Sequence, residues 1–215
     1  MLILAFRYMT GCPPEHLKEV MDLFSLTTLE ICEGQQLDME FESRCDVTED
    51  EYIEMIRLKT AVLLAGSLKI GAILAGATAE DAENLYNFGM HIGVAFQLQD
   101  DLLDVYGDPE VFGKKIGGDI LCNKKTYMLI KALERANGEQ LEELNRWLNA
   151  DNCQPAEKIA AVTEIYNQLT IRSVCENKMR EYYTLAMESL EAVAVAEEKK
   201  KELKNLVKLL MYREM

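Results

Sequence analysis

The chain has 215 residues, 49% of them hydrophobic, and a formal net charge of −14 at pH 7. This length and apolar content predict a single domain, residues 1–215, with one substantial core. The acidic excess argues against nucleic-acid binding, which needs a basic face, and the opening apolar run is too short to insert stably in a membrane. Six scattered cysteines without a C-x-x-C pair favour a reduced, cytoplasmic protein over a disulfide framework.

The first half of the chain carries the periodicity of long helices. A helix is expected from Pro14 to about Phe41, since proline suits the first helical turn. Thr48 followed by Glu51 is a capping-box pattern, in which each side chain satisfies the backbone N–H of the other residue. This pattern predicts the start of a second long helix.

Helical patterns continue to the end of the chain. Thr78 with Asp81 predicts the start of a third helix, which ends near Tyr106. No alternating strand pattern competes with these assignments. The predicted fold class is all-α, an antiparallel helical bundle, with further helices expected over 124–136, 139–149, 155–169, 171–194 and 196–212.

The third helix ends in an acidic motif, "FQLQDDLLDVYGD", at residues 96–108. Asp100 and Asp104 lie one turn apart on one helix face, and Asp101 lies about 100° round the helix. Carboxylate oxygens suit Mg²⁺, which takes one or two of them and completes its shell with water and phosphate. The alternative for this string alone is a solvated acidic helix end. The same face carries Gly93 and Gly89, for which close helix packing is the better explanation.

A loop rich in glycine and lysine follows the acidic motif. Residues 107–125 hold four glycines and four lysines, and the four lysines against three acidic residues give this segment a charge of +1. Lysines on flexible backbone suit anions, above all phosphate. Standing alone, the loop would be an ordinary exposed connector, but beside the carboxylates it indicates a site for metal and diphosphate.

Two polar pairs interrupt apolar helical stretches upstream. Gln35 and Asp38 are three residues apart in the first long helix, where buried polar groups need partners. Lys59 and Thr60 interrupt the apolar stretch of the second helix. For the lysine alone, extension of its charge to solvent is the better explanation, and contact with an anion is the alternative.

Taken in order, these motifs resemble the trans-isoprenyl diphosphate synthases, the polyprenyl synthetase family. The resemblance covers almost the whole chain. It implies an all-α bundle around a deep apolar cavity, usually a homodimer, that condenses isopentenyl diphosphate with an allylic prenyl diphosphate using up to three Mg²⁺ ions. The matching motifs are Gly34-Gln35-x-x-Asp38, Lys59-Thr60, Phe96-Gln97-x-x-Asp100-Asp101-x-x-Asp104, and Gly113-Lys114 through Gly118-Asp119 to Lys124.

The resemblance also implies a role for each motif residue. Asp100 would be a Mg²⁺ ligand, and Asp104 and Asp101 would support the metal site through water or the lysine loop. Asp38 and Asp119 would orient lysines and metal-bound waters. In the substrate site, Lys114 and Lys124 would hold the allylic diphosphate beside Lys59, Asp101 and Phe96, and Gln97, Thr60 and Gln35 would line the reaction centre.

One departure from the family pattern concerns the start of the chain. The family carries a first aspartate-rich motif and an Arg-Arg pair, and neither occurs in this sequence. We therefore expect Met1 to correspond to an internal methionine, the chain to be an N-terminally truncated synthase comprising the C-terminal two-thirds, and its condensation activity by itself to be low. Product chain length cannot be inferred from these residues.

Two alternatives to a synthase remain open. A non-catalytic partner subunit of a synthase would explain the missing motif but not the retained aspartates and lysines. A class I terpene cyclase would share the fold and metal chemistry, but it is disfavoured by Lys59-Thr60 and by the Gly-Lys-x-x-Gly-Gly-Asp element that begins at Gly113.

Overall fold

The computed structural model describes residues 2–108, 116–150 and 153–211. Within these ranges the chain is helical and contains no strand, which confirms the all-α prediction. The elements are α1 Leu2–Met9, α2 Leu17–Phe41, α3 Glu49–Ile56, a π-helical turn Arg57–Ala61, α4 Val62–Leu74, α5 Ala79–Tyr106, α6 Gly118–Leu121, α7 Tyr127–Arg135, α8 Gly138–Leu148, α9 Pro155–Gln168, α10 Ile171–Ala192 and α11 Glu197–Met211.

Both predicted capping signals start helices. The Thr48 N–H donates to Glu51 Oε2 at 2.9 Å and the Glu51 N–H donates to Thr48 Oγ1 at 3.3 Å, so the capping box is complete. At the start of α5, the Asp81 N–H donates to Thr78 Oγ1 at 3.0 Å. The prediction that this helix ends near Tyr106 is also confirmed.

Two helix starts lie three residues later than expected. α2 begins at Leu17 rather than Pro14, because the His16 N–H donates to Pro13 O at 3.0 Å and closes a separate turn before the helix. α7 begins at Tyr127 rather than residue 124, because the Thr126 side chain accepts from the Leu129 N–H at 3.3 Å and caps the helix there.

The sequence predicted one continuous second long helix, but the structure shows that this helix is not uniform. It divides into α3 and α4 around the π-helical turn Arg57–Ala61. A π turn inserts one extra residue into the helical ladder and is frequent at functional sites. Here the turn contains Lys59 and Thr60, the polar pair that interrupts the apolar pattern.

α5 is the central helix, with α4 and the π turn on one side and α10 on the other. Gly93 permits this approach, since a Cβ atom at that position would lie 2.5 Å from the Cα of Ala61. Gly89 contacts the backbone of Ala65 in the same way. Close helix packing therefore explains both glycines. It also fixes the position of the π turn along α5, near the acidic end of that helix.

Two further findings concern the chain as a whole. No helix in the described ranges is long and apolar enough to cross a membrane. All six cysteines are free thiols.

Candidate active site

The acidic end of α5 faces a small pocket formed with α2, α3 and the π turn. An open cleft adjoins it and shares Asp38 and Lys124 with it. The cleft extends along the end of α2 and the segment that follows α6. The pocket is lined by Asp38, Tyr52, Met55, Ile56, Lys59, Gln97, Asp101 and Lys124.

Lys59 reaches the pocket because α2 lies directly against the π turn. A Cβ atom at Gly34 would lie 2.3 Å from the backbone nitrogen of Lys59, so only glycine permits this contact. One helical turn along α2, Asp38 Oδ2 lies 2.6 Å from Lys59 Nζ. The lysine therefore does not simply extend to solvent: it is paired with a carboxylate and lines the pocket.

Lys124 lines the same pocket as Lys59 and has its own carboxylate partner. Its Nζ lies 3.5 Å from Asp119 Oδ1, and its backbone N–H donates to Asp119 O at 3.0 Å. Burial alone would lower the pKa of Lys124, but the carboxylates of Asp101, Asp119 and Asp38 outweigh it and raise the pKa above its ordinary value. The ammonium group therefore stays charged at neutral pH and is available to an anion.

Gln97 lies at the centre of a line of hydrogen bonds. Thr60 Oγ1 donates to Gln97 Oε1 at 3.0 Å, and Gln97 Nε2 donates to Asp101 Oδ1 at 3.2 Å. The Tyr52 hydroxyl donates to the other oxygen, Asp101 Oδ2. The line joins α3, the π turn and α5, and it holds the Gln97 amide in one orientation at the pocket wall.

Asp101 is buried in the wall of the pocket. It is 2% exposed and hydrogen-bonded to protein groups, because its position about 100° round the helix from Asp100 turns its side chain towards the core. The roles expected for it, support of the metal site through water or the lysine loop and contact with the substrate, stay predictions. Burial raises the pKa of Asp101 to about 7.

Asp104 anchors the segment that carries the second lysine. Its Oδ2 accepts from the Asp119 N–H at 2.9 Å, and its backbone oxygen accepts from the Gly117 N–H at 2.6 Å. This side chain therefore holds the beginning of α6 against α5. It also places Asp119, and with it Lys124, beside the acidic motif.

Three carboxylates at this end of α5 act on one another. Burial raises the pKa of Asp119, Lys124 lowers it, and the nearby charges of Asp104 and Asp100 raise it again. No group of three or more acidic, histidine or cysteine side chains within the described ranges is close enough to hold a metal ion unaided. Mg²⁺ commonly takes only one or two carboxylates and completes its shell with phosphate and water. The half-buried Asp100, with Asp104 one turn away, fits that chemistry.

The remaining predicted site residues are not all gathered here. Gln35 is exposed on α2 and does not line the pocket. Phe96 is half-buried on α5, one residue before Gln97. Lys114 lies outside the described residues. Conversely, the sequence did not single out Tyr52, although its spacing of three, four and seven residues from Met55, Ile56 and Lys59 places it on the pocket side of the helix.

Comparison with known proteins gives a consistent family assignment. A family model described as polyprenyl synthetase matches residues 1–169. A short chain isoprenyl diphosphate synthase of Methanothermobacter thermautotrophicus is 40% identical over 179 residues, covering 83% of this chain and 54% of that protein. A (2E,6E)-farnesyl diphosphate synthase of Mycobacterium bovis is 34% identical over 217 residues, covering 100% of this chain and 60% of that protein.

Solved structures agree with these relatives. A crystal structure of a geranylgeranyl pyrophosphate synthase superimposes with a TM-score of 0.92 at 38% identity, covering 100% of this chain and 66% of the other. A geranylgeranyl pyrophosphate synthase from Corynebacterium glutamicum, described as complexed with isoprenyl diphosphate and magnesium, gives a TM-score of 0.86 at 30% identity, with coverages of 95% and 58%. The chain thus spans from about half to two-thirds of the length of these proteins.

Proposed function

This chain belongs to the polyprenyl synthetase family, and on that premise we propose that it acts in the Mg²⁺-dependent condensation of isopentenyl diphosphate with an allylic prenyl diphosphate. The product would be a trans polyprenyl diphosphate of isoprenoid biosynthesis. The observation that carries the proposal is the pair of lysines, Lys59 and Lys124, which face one pocket from different elements beside the carboxylates of α5.

In this reaction the C–O bond of the allylic diphosphate breaks, and negative charge grows on the departing diphosphate. Lys59 and Lys124 are held in place by Asp38 and Asp119, so their charges are positioned before the substrate arrives. We assign Lys114 to the same diphosphate from its place in the motif. The C1 atom left electron-poor is then attacked by the double bond of isopentenyl diphosphate, which loses a proton to give the product.

The uncharged polar groups of this region suit the positive centre of the allylic group. Gln97 lines the pocket and accepts a hydrogen bond from Thr60, so both groups offer dipoles without a formal charge, and the hydrogen bond to Asp101 keeps the amide from rotating. Bound Mg²⁺ would neutralise the diphosphate and draw electrons from the breaking bond. Asp100 would hold the Mg²⁺ ion, while Asp104 keeps the segment that carries Lys124 against the acidic end of α5.

The test compares Asp100→Ala with Asp104→Ala, using the exposed acid Glu202→Ala on α11 as the matched control. Binding of an unreactive thiolo analogue of an allylic diphosphate is titrated with and without Mg²⁺, and turnover is followed with labelled isopentenyl diphosphate. Asp100→Ala should remove the Mg²⁺-dependent part of binding, and in a complete synthase that also carries the first aspartate-rich motif it should lower turnover by several orders of magnitude. Asp104→Ala should lose roughly 10–100-fold, as residues behind a metal ligand typically do.

Two outcomes would contradict the proposal. One is a parent protein that binds no allylic diphosphate analogue at saturating Mg²⁺. The other is Asp100→Ala equal to Glu202→Ala in both measurements, which would reduce the acidic motif to a charged helix end.

We further propose a cytoplasmic homodimer. Free thiols support a reducing compartment. Large apolar side chains exposed on α1, α2 and α4 support association, because burying such side chains against a second copy removes them from water. A monomer by light scattering at micromolar concentration would contradict it. The side chains concerned are Leu2, Ile3, Leu4, Leu26, Leu29 and Leu63, each more than half exposed.

A further inference from the structure

Tyr52 is a buried polar residue without a part in the function proposed above. Its side chain is 1% exposed, and its hydroxyl donates to Asp101 Oδ2 across a sequence separation of 49 residues. Its ring packs near that of Tyr127, with centroids 6.4 Å apart. The ring belongs to the apolar core, whereas the hydroxyl enters the polar wall of the pocket.

The hydroxyl acts on the pocket through Asp101. Because Tyr52 occupies Oδ2, the amide of Gln97 is left with Oδ1 as its acceptor. That contact directs the NH₂ group of Gln97 towards Asp101 and its carbonyl oxygen towards Thr60. Without the hydroxyl, the carboxylate can turn about its side-chain torsions, and both amide orientations become accessible.

Tyr52 is also tied to Lys59 through the backbone. Both residues lie on the continuous helical run of α3 and the π turn, and both line the pocket. The hydrogen bond to Asp101 therefore fixes this run against α5 at the level of the pocket, while the capping box fixes its beginning.

We propose that Tyr52 is a positioning residue: its hydroxyl holds Asp101, and through it keeps the Gln97 amide at the pocket wall in one orientation, with its NH₂ group towards Asp101 and its carbonyl oxygen towards Thr60. The proposal rests on the proposed function. It requires that loss of the hydroxyl affects the reaction step more than diphosphate binding, since Lys59 and Lys124 do not depend on Gln97 for their carboxylate partners.

The experiment compares Tyr52→Phe with Tyr127→Phe in the full chain. Each variant removes one hydroxyl from a buried tyrosine of the same core cluster and leaves the ring in place. The first measurement is the nitrogen–proton NMR signal of the Gln97 side-chain amide, assigned with Gln97→Glu. This signal should shift or broaden in Tyr52→Phe and stay unchanged in Tyr127→Phe.

The second measurement separates kcat from KM with labelled isopentenyl diphosphate. Tyr52→Phe should lower kcat by about 10–100-fold, the usual effect of removing a group that orients an active-site residue. KM for the allylic diphosphate and the affinity for inorganic pyrophosphate with Mg²⁺ should stay within about twofold of the parent, because an interaction that acts only in the reaction step does not contribute to ground-state binding.

The results distinguish failure of the positioning role of Tyr52 from failure of the proposed function. An unshifted Gln97 signal in Tyr52→Phe overturns the positioning role whatever the activity. An active parent with equal kcat in Tyr52→Phe and Tyr127→Phe also overturns it and leaves the proposed function intact. A parent that neither binds pyrophosphate nor turns over overturns the proposed function, and with it the assignment of Tyr52.

Discussion

The contact between α2 and the π turn can be tested by one methyl group. In Gly34→Ala, the new Cβ would lie 2.3 Å from the backbone nitrogen of Lys59 and 2.8 Å from the backbone carbon of Leu58. Both atoms are backbone, so no flexible side chain can move aside. Restoring a contact of 3.4 Å requires the two elements to separate by 1.1 Å, the difference between these distances.

The expected loss of stability follows from two opposing effects. Replacing a helical glycine with alanine favours the helix by about 1 kcal/mol. Overpacking a close contact costs about 1–3 kcal/mol, and the upper part of that range applies because backbone must move. The net destabilisation is therefore about 1–2 kcal/mol, which for a chain of this size corresponds to a fall in Tm of roughly 2–8 °C.

Gly71→Ala provides the matched control. Gly71 lies in α4, and a Cβ there would have nothing within 4 Å. This variant keeps the helical gain without the overlap, so its Tm should rise by roughly 2–4 °C. Unfolding is followed by circular dichroism, and binding of inorganic pyrophosphate with Mg²⁺ reports on Lys59. A Gly34→Ala protein as stable as Gly71→Ala, with unchanged pyrophosphate affinity, would refute the contact.

Two further predictions concern charges away from the pocket. Burial would raise the pKa of Glu49, but Lys131 and Lys178 lower it below its ordinary value of 4.5. A folded-state pKa below the unfolded value stabilises the protein above pH 4.5 and loses that effect as pH falls further. Glu49→Gln should therefore be less stable than the parent in urea at pH 7, and the difference should shrink below pH 4.5; a constant difference would contradict this. Lys200, only 5% exposed, donates to a backbone oxygen at the end of α10 at 2.8 Å, so Lys200→Met should cost about 1–3 kcal/mol by urea unfolding. The exposed neighbour in Lys201→Met should change stability by less than about 0.5 kcal/mol, and equal effects would contradict the buried role.

The sequence predicted well those features of the fold that depend on neighbouring residues. The caps at Thr48 and Thr78 act over three residues, so the pattern that predicts them also contains the partner. The end of the third helix near Tyr106 was predicted for a similar reason, since Gly107 and the loop follow directly. Where such a local signal exists, the position of a helix end depends little on the rest of the molecule.

Features that depend on distant partners were missed. The π geometry of the turn that brings Lys59 beside Asp38 has no signal in its own sequence, which predicts an α-helix there. Tyr52 resembles a core aromatic until Asp101 is seen beside it. Lys200 lies in a run of charged residues, yet its side chain is buried against the end of α10.

The arrangement of charge at the pocket bears on how an acidic chain would attract the diphosphate that we propose as its substrate. Lys59 and Lys124 each have a carboxylate partner, Asp38 and Asp119, so neither lysine has to be ordered when the anion arrives. The pairing also lowers their attraction for a bare anion, because each positive charge is already partly neutralised. Diphosphate would then bind well only together with a cation that neutralises the aspartates of α5. On this account, pyrophosphate affinity should depend steeply on Mg²⁺ and only weakly on monovalent salt. A weak dependence on Mg²⁺ with a steep dependence on salt would instead indicate that the lysines act as a simple basic patch.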